Sequence, residues 1–151
     1  MMRVLGLLCV AFFVGVGVGR GAEPPARTVL LKATDALKYD VTTIAAKPGE
    51  RIHIVLKTIS ALPKVAMSHN FVILKPGTDQ TAFLNACTGA GDHDYLAPEF
   101  AGKLLVSTKM AAGGETVEAT FTAPTAPGSY PYLCTFPGHM LAGMKGMLVV
   151  K

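Results

Sequence analysis

The run Tyr132-Leu133-Cys134-Thr135-Phe136-Pro137-Gly138-His139-Met140-Leu141-Ala142-Gly143-Met144 decides how the rest of the chain is read. It places a thiol, an imidazole and a thioether on one segment, with four residues between each and the next. Pro137 and Gly138 permit a tight turn, and apolar neighbours keep the segment largely dry. Its flanks, Ser129 to Cys134 and Gly146 to Val150, are short β-like stretches. The segment therefore reads as a ligand-bearing loop between two strands.

Working outward, the same kind of stretch recurs back to Thr28. Thr28 to Leu31, Val41 to Ala45, Phe71 to Leu74, Leu104 to Lys109 and Thr116 to Phe121 are apolar or β-branched, with turn residues between them. Arg51 to Lys57 alternates, with Ile52, Ile54 and Leu56 on one face and His53, Val55 and Lys57 on the other. Short strands at regular spacing point to an all-β sandwich or barrel. One segment departs from this pattern. Asp79 is a candidate N-cap for a short helix over Thr78 to Ala86, with Ala82, Phe83 and Ala86 at helical spacing. Cys87-Thr88-Gly89-Ala90-Gly91 is expected to stop it.

The N-terminus stands apart. Arg3 precedes an almost unbroken apolar run from Val4 to Val18, and small residues follow at Gly19, Gly21 and Ala22. This has the shape of a secretory signal peptide over residues 1–22, leaving one domain over residues 23–151. A retained membrane anchor is the rival, but the run is slightly short of the roughly 18 residues a span requires and meets Glu23-Pro24-Pro25 at once. Without Arg3 and Arg20 the 14 basic residues become 12 against 10 acidic, so the net charge of +4 falls to +2. No basic cluster remains, which argues against a nucleic-acid partner. Removing Cys9 from the 3 cysteines leaves Cys87 and Cys134. In an oxidising compartment the simplest alternative is a disulfide between them.

The chemistry of the loop argues otherwise. A soft thiolate, imidazole nitrogen and a distant thioether suit copper cycling between Cu(I) and Cu(II). A lone cysteine with two histidines and a methionine is an unusual zinc set. A trigonal site needs a second imidazole from among the 4 histidines. His53 sits within an alternating strand and His93 in the polar run Gly91-Asp92-His93-Asp94, which leaves His69, just before a strand, as the candidate.

Cys134-Thr135-Phe136-Pro137-Gly138-His139, Met144-Lys145-Gly146, Leu62-Pro63-Lys64, Met67-Ser68-His69-Asn70 and Asp94-Tyr95-Leu96 together resemble the azurins, from about Lys32 to Lys151. The resemblance implies a Greek-key cupredoxin β-sandwich with a type 1 (blue) copper site. It makes His69, Cys134 and His139 the equatorial ligands, Met144 the weak axial ligand and the Ser68 carbonyl a second axial contact. Asn70 and Phe136 match positions whose groups hydrogen-bond the cysteine sulfur and its loop. It also implies an apolar docking patch around His139, drawn from Leu62, Ala66, Met67, Phe136, Pro137, Leu141 and Ala142. Three departures stand out. Ser68 replaces a usual glycine, the run from His139 to Met144 is one residue longer, as in plastocyanins and auracyanins, and Cys87 has no counterpart.

The expected function is one-electron transport in the periplasm between redox proteins such as c-type cytochromes or oxidoreductases, with no catalysis at the metal. An enzyme of the multicopper kind needs more histidines and further domains. A copper carrier favours methionine- or histidine-rich motifs, which the 7 scattered methionines do not form.

Overall fold

The computed structural model describes residues 23–151, so the expected signal segment, with Cys9, lies outside the described residues. Strands β1 (Arg27–Thr34), β2 (Lys38–Tyr39), β4 (Arg51–Ile59) and β9 (Thr116–Thr122) form one sheet in the order β2-β1-β4-β9. Strands β3 (Thr43–Ala46), β6 (Val72–Leu74), β7 (Leu104–Ser107), β10 (Gly128–Leu133) and β11 (Lys145–Val150) form the second, in the order β3-β11-β10-β6-β7. Successive strands repeatedly cross from one sheet to the other, the Greek-key way of closing a sandwich. A separate two-residue ladder joins β5 (Ser68–His69) to β8 (Ala111–Ala112). Among the described residues no helix is long and apolar enough to cross a membrane.

Alternation builds the main core. Ile52, Ile54 and Leu56 of β4 are fully buried, whereas His53, Val55 and Lys57 face outward. Leu31 and Ala33 of β1 join them from one sheet, and Ile73, Tyr132 and Leu148 meet them from the other. Each such aliphatic side chain contributes about 1.5–3 kcal/mol by leaving water. The strand expected over Thr28–Leu31 runs on to Thr34, because parallel pairing with β4 continues to Thr34↔Ile59. His53 lies on the outer face, its Nδ1 2.9 Å from Thr120 Oγ1.

The core holds no tryptophan, and tyrosines bring hydroxyls that must find partners when buried. Tyr130 donates to the Ala126 carbonyl at 2.8 Å, Tyr132 to that of Val41, and Tyr39 to that of Asn70. Tyr132 also explains one glycine. Its cross-strand partner is Gly146, where a Cβ would stand 2.2 Å from the Tyr132 ring.

The second sheet is buried on both sides at β6. Ile73 faces the main core, while Val72 and Leu74 join Leu133 in a smaller cluster capped by Phe83 and Cys87 of helix α1 (Gln80–Thr88). Burial on both faces is why Phe71 to Leu74 reads as an unbroken apolar run. Asp79 caps the helix, accepting from the Ala82 amide at 3.0 Å. The helix outruns its expected end at Ala86 and stops at Gly89, because Cys87 packs inward as part of its buried stripe. Short 3-10 turns at Gly91–His93 and Pro98–Lys103 return the chain to β7.

Candidate metal centre

The strands deliver the candidate ligands to one end of the sandwich. Cys134 follows the last residue of β10 and Met144 precedes the first of β11, so the whole loop is a connection between paired neighbours. Within it, His139 N–H donates to the Phe136 carbonyl, Ala142 to Gly138, Gly143 to Met140 and Met144 to His139, each at 3.0–3.1 Å. Gly138 takes a φ of +83° and Gly143 of +101°, conformations that cost an ordinary residue about 1 kcal/mol or more. These successive turns fold the loop back until the Cys134 amide bonds the Met144 carbonyl at 3.3 Å. His69 arrives from the other side on β5, held by pairing with Ala111.

Three donors meet there. The ligand atoms of His69, Cys134 and His139 all lie within 4.8 Å of one another, and all three residues are buried. His139 Nδ1 is 3.6 Å from Cys134 Sγ, and the two imidazole rings are 4.9 Å apart, centre to centre. Met144 is fully buried in the same main cluster as Cys134, and Ser68 is buried next to His69. His53 and His93 stay apart, on the outer sheet face and in an exposed 3-10 turn. Among the described residues Cys87 and Cys134 are both free thiols, so they do not form the alternative disulfide with each other.

The donor set fits a metal. Neither ring nitrogen of His69 has a hydrogen-bond partner among the described residues, although the side chain is wholly buried. An orphaned buried polar group costs about 1–3 kcal/mol, which coordination of one nitrogen would offset. Bonds of about 2.0 Å to nitrogen and 2.3 Å to sulfur, as zinc makes, would set trigonal donors about 3.7 Å apart. The Cys134–His139 separation matches that arrangement.

Electrostatics favours neutral imidazoles. Burial, with the neighbouring His139, pulls His69 down to about 4, and burial also lowers His139. At neutral pH each presents a lone pair rather than a proton. Burial has the opposite sign for a thiol, and it pushes Cys134 up to about 11. The backbone amides of Asn70 and Phe136 act against it by bonding the sulfur. A metal must therefore displace the thiol proton.

A surrounding set of contacts holds these groups. The Asn70 amide nitrogen donates to Thr135 Oγ1 at 2.8 Å, and its carbonyl oxygen accepts from the Thr135 amide at 2.9 Å. Phe136 lies 4.5 Å from the His139 ring and 5.1 Å from that of Tyr95. Sequence reading singled out Asn70 and Phe136 but not Thr135, Tyr95 or Tyr39. Thr135 lies inside the quoted loop and Tyr95 inside a quoted motif, whereas nothing local to Tyr39 points at the site.

Comparison with known proteins follows the same line. The family model described as copper binding proteins, plastocyanin/azurin family, matches residues 27–151. Auracyanin-B of Chloroflexus aurantiacus is 37% identical over 130 residues, covering 85% of this chain but only 54% of its own length. The chain thus spans little more than half of that relative. Azurin-2 of Alcaligenes xylosoxydans xylosoxydans is 36% identical over 124 residues, covering 78% of this chain and 92% of that protein. Among solved structures, that of auracyanin A, described as a "blue" copper protein from Chloroflexus aurantiacus, superposes with a TM-score of 0.73 at 35% identity. It covers 84% of this chain and 100% of its own.

Proposed function

Because this chain belongs to the plastocyanin/azurin family of copper-binding proteins, we propose that it is an exported one-electron carrier with a type 1 (blue) copper. His69, Cys134 and His139 would hold the copper, with the Met144 thioether and the Ser68 carbonyl as the further, weaker donors. The observation that carries this reading is the convergence of three buried donors from two distant segments, one of them, His69, wholly buried and without a hydrogen-bond partner among the described residues.

Bound copper supplies a one-electron couple between Cu(I) and Cu(II). The protein does the rest. Neutral imidazoles and a thiol stripped of its proton present their lone pairs, and the Asn70 and Phe136 amides draw electron density from the sulfur. Such bonds hold the ligands still and favour the reduced state. Burial of all three donors shields them from water, which suits outer-sphere transfer by a carrier rather than turnover of a substrate by an enzyme.

His139 is 4% exposed, the most accessible of the three donor residues. Leu62, Val65 and Leu141 are exposed apolar residues on the segments that carry the ligands, at 46%, 86% and 86%. A weakly charged apolar patch suits short-lived complexes with redox partners such as c-type cytochromes or oxidoreductases. The signal-like residues 1–22 support a periplasmic location for the domain over residues 23–151. Stopped-flow mixing of the Cu(I) form with an oxidised c-type cytochrome tests this. A carrier should transfer an electron rapidly, and Leu141→Glu should slow the second-order step by about tenfold. Transfer that is slow in both proteins would contradict the reading.

A further inference from the structure

Tyr39 is 31 residues from Asn70 in sequence and belongs to the opposite sheet, yet its hydroxyl reaches that residue beside the centre. It occupies the two-residue strand β2, is 3% exposed, and packs edge-on against Tyr132 and Phe71 at 5.4 and 6.4 Å. Its hydroxyl donates to the Asn70 carbonyl at 2.5 Å. Asn70 is the residue between His69 and Phe71. Its amide N–H acts on the Cys134 sulfur, opposing the rise of the thiol pKa, and both ends of its side chain bond Thr135. Every polar group of Asn70 is therefore engaged, and Tyr39 supplies the only one of these bonds that comes from the far sheet.

We propose that Tyr39 is a positioning residue of the metal centre: by anchoring the Asn70 carbonyl, it fixes the aim of the Asn70 amide at the Cys134 sulfur and so tunes the reduction potential. This rests on the copper reading given above. Without the hydroxyl, the Asn70 carbonyl is left unpartnered inside the core. The peptide must then tilt toward another donor, lengthening the N–H···S bond and returning electron density to the sulfur. The oxidised state gains relative to the reduced one.

The test compares copper-loaded wild type, Tyr39→Phe and Tyr130→Phe. Tyr39→Phe keeps the ring and both edge-on contacts. Tyr130→Phe is the matched control, because it removes a tyrosine hydroxyl bonded to the Ala126 carbonyl, away from the ligands. Redox equilibration with a one-electron mediator should shift roughly three- to tenfold toward the oxidised form in Tyr39→Phe, tenfold being about 59 mV for one electron. Its thiolate-to-copper absorption band should shift as well. Tyr130→Phe should lose thermal stability while keeping the wild-type potential and band. Amide exchange in the Cu(I) form provides a second readout, with Asn70 exchanging faster in Tyr39→Phe alone. Equal potentials and equal Asn70 exchange in all three proteins would overturn the proposal while leaving the copper reading intact. Absence of the band in wild type would overturn both.

Discussion

The two buried cysteines occupy opposite faces of one sheet and invite comparison. Cys134 directly follows β10 at the margin of the main core, whereas Cys87 lies in α1 over the outer face, among Val72, Leu74, Phe83 and Leu133. Both are fully buried, and burial raises both thiols above their ordinary pKa. Their neighbours differ. Cys134 has an imidazole nitrogen at 3.6 Å, a second imidazole close by and two backbone amides aimed at the sulfur. Cys87 has aliphatic and aromatic neighbours and one backbone contact from Ala97. Burial alone makes a thiol inert; it becomes a ligand only where other donors have been buried with it. The outer cluster is a device for stability, and the inner one gives up stability for chemistry.

The largest effect should separate these roles. Phe83→Ala empties the outer cluster and should cost about 3–5 kcal/mol, read from the urea midpoint. The copper absorption of the folded protein should stay where it is. A lost or displaced band in protein that circular dichroism shows to be folded would mean that the outer cluster belongs to the site.

Acid should distinguish the regions next. The folded pKa of His69 lies at about 4 against 6.5 in the unfolded chain, so between these values the unfolded state binds the extra proton. The contribution of His69 to the stability of the metal-free protein is complete above pH 6.5, falls as pH drops, and levels off below about 4. The loss from His69 is on the order of 3 kcal/mol, and His139 adds to it in the same direction. Urea unfolding of the metal-free protein at pH 7 and pH 4 measures this, and His69→Gln should flatten the slope. A slope unchanged by that substitution would place the acid sensitivity elsewhere.

Smaller effects sharpen the contrast. Cys87→Ala should cost about 1 kcal/mol and leave copper binding alone. Copper(II) uptake at pH 7.5 should release about one proton, from the Cys134 thiol, because both imidazoles are already neutral. Calorimetry in buffers of differing ionisation enthalpy counts it, and a value near zero or two would contradict the assignment.

Much of this was legible in the chain wherever the determinants are local. Cys134, His139 and Met144 stand within one short run, and Ile52, Ile54 and Leu56 announce their buried face by alternation. Other features depend on partners distant in sequence. A two-residue strand such as Ser68–His69 has no periodicity, so its ladder with Ala111–Ala112 was invisible. The last turn of α1 holds Cys87 because Val72, Leu74 and Leu133 wait beneath it, which the breaker-rich run after Ala86 conceals. Tyr39 looks like any strand aromatic until the fold sets its hydroxyl against Asn70.

The most direct test is an absorption titration with Cu(II) of the wild type, Cys134→Ser and Cys87→Ser. The account predicts an intense blue thiolate-to-copper band that saturates at one copper per chain in wild type and Cys87→Ser, and is absent from Cys134→Ser. A pale complex in wild type, or a band that survives in Cys134→Ser and vanishes in Cys87→Ser, would contradict it.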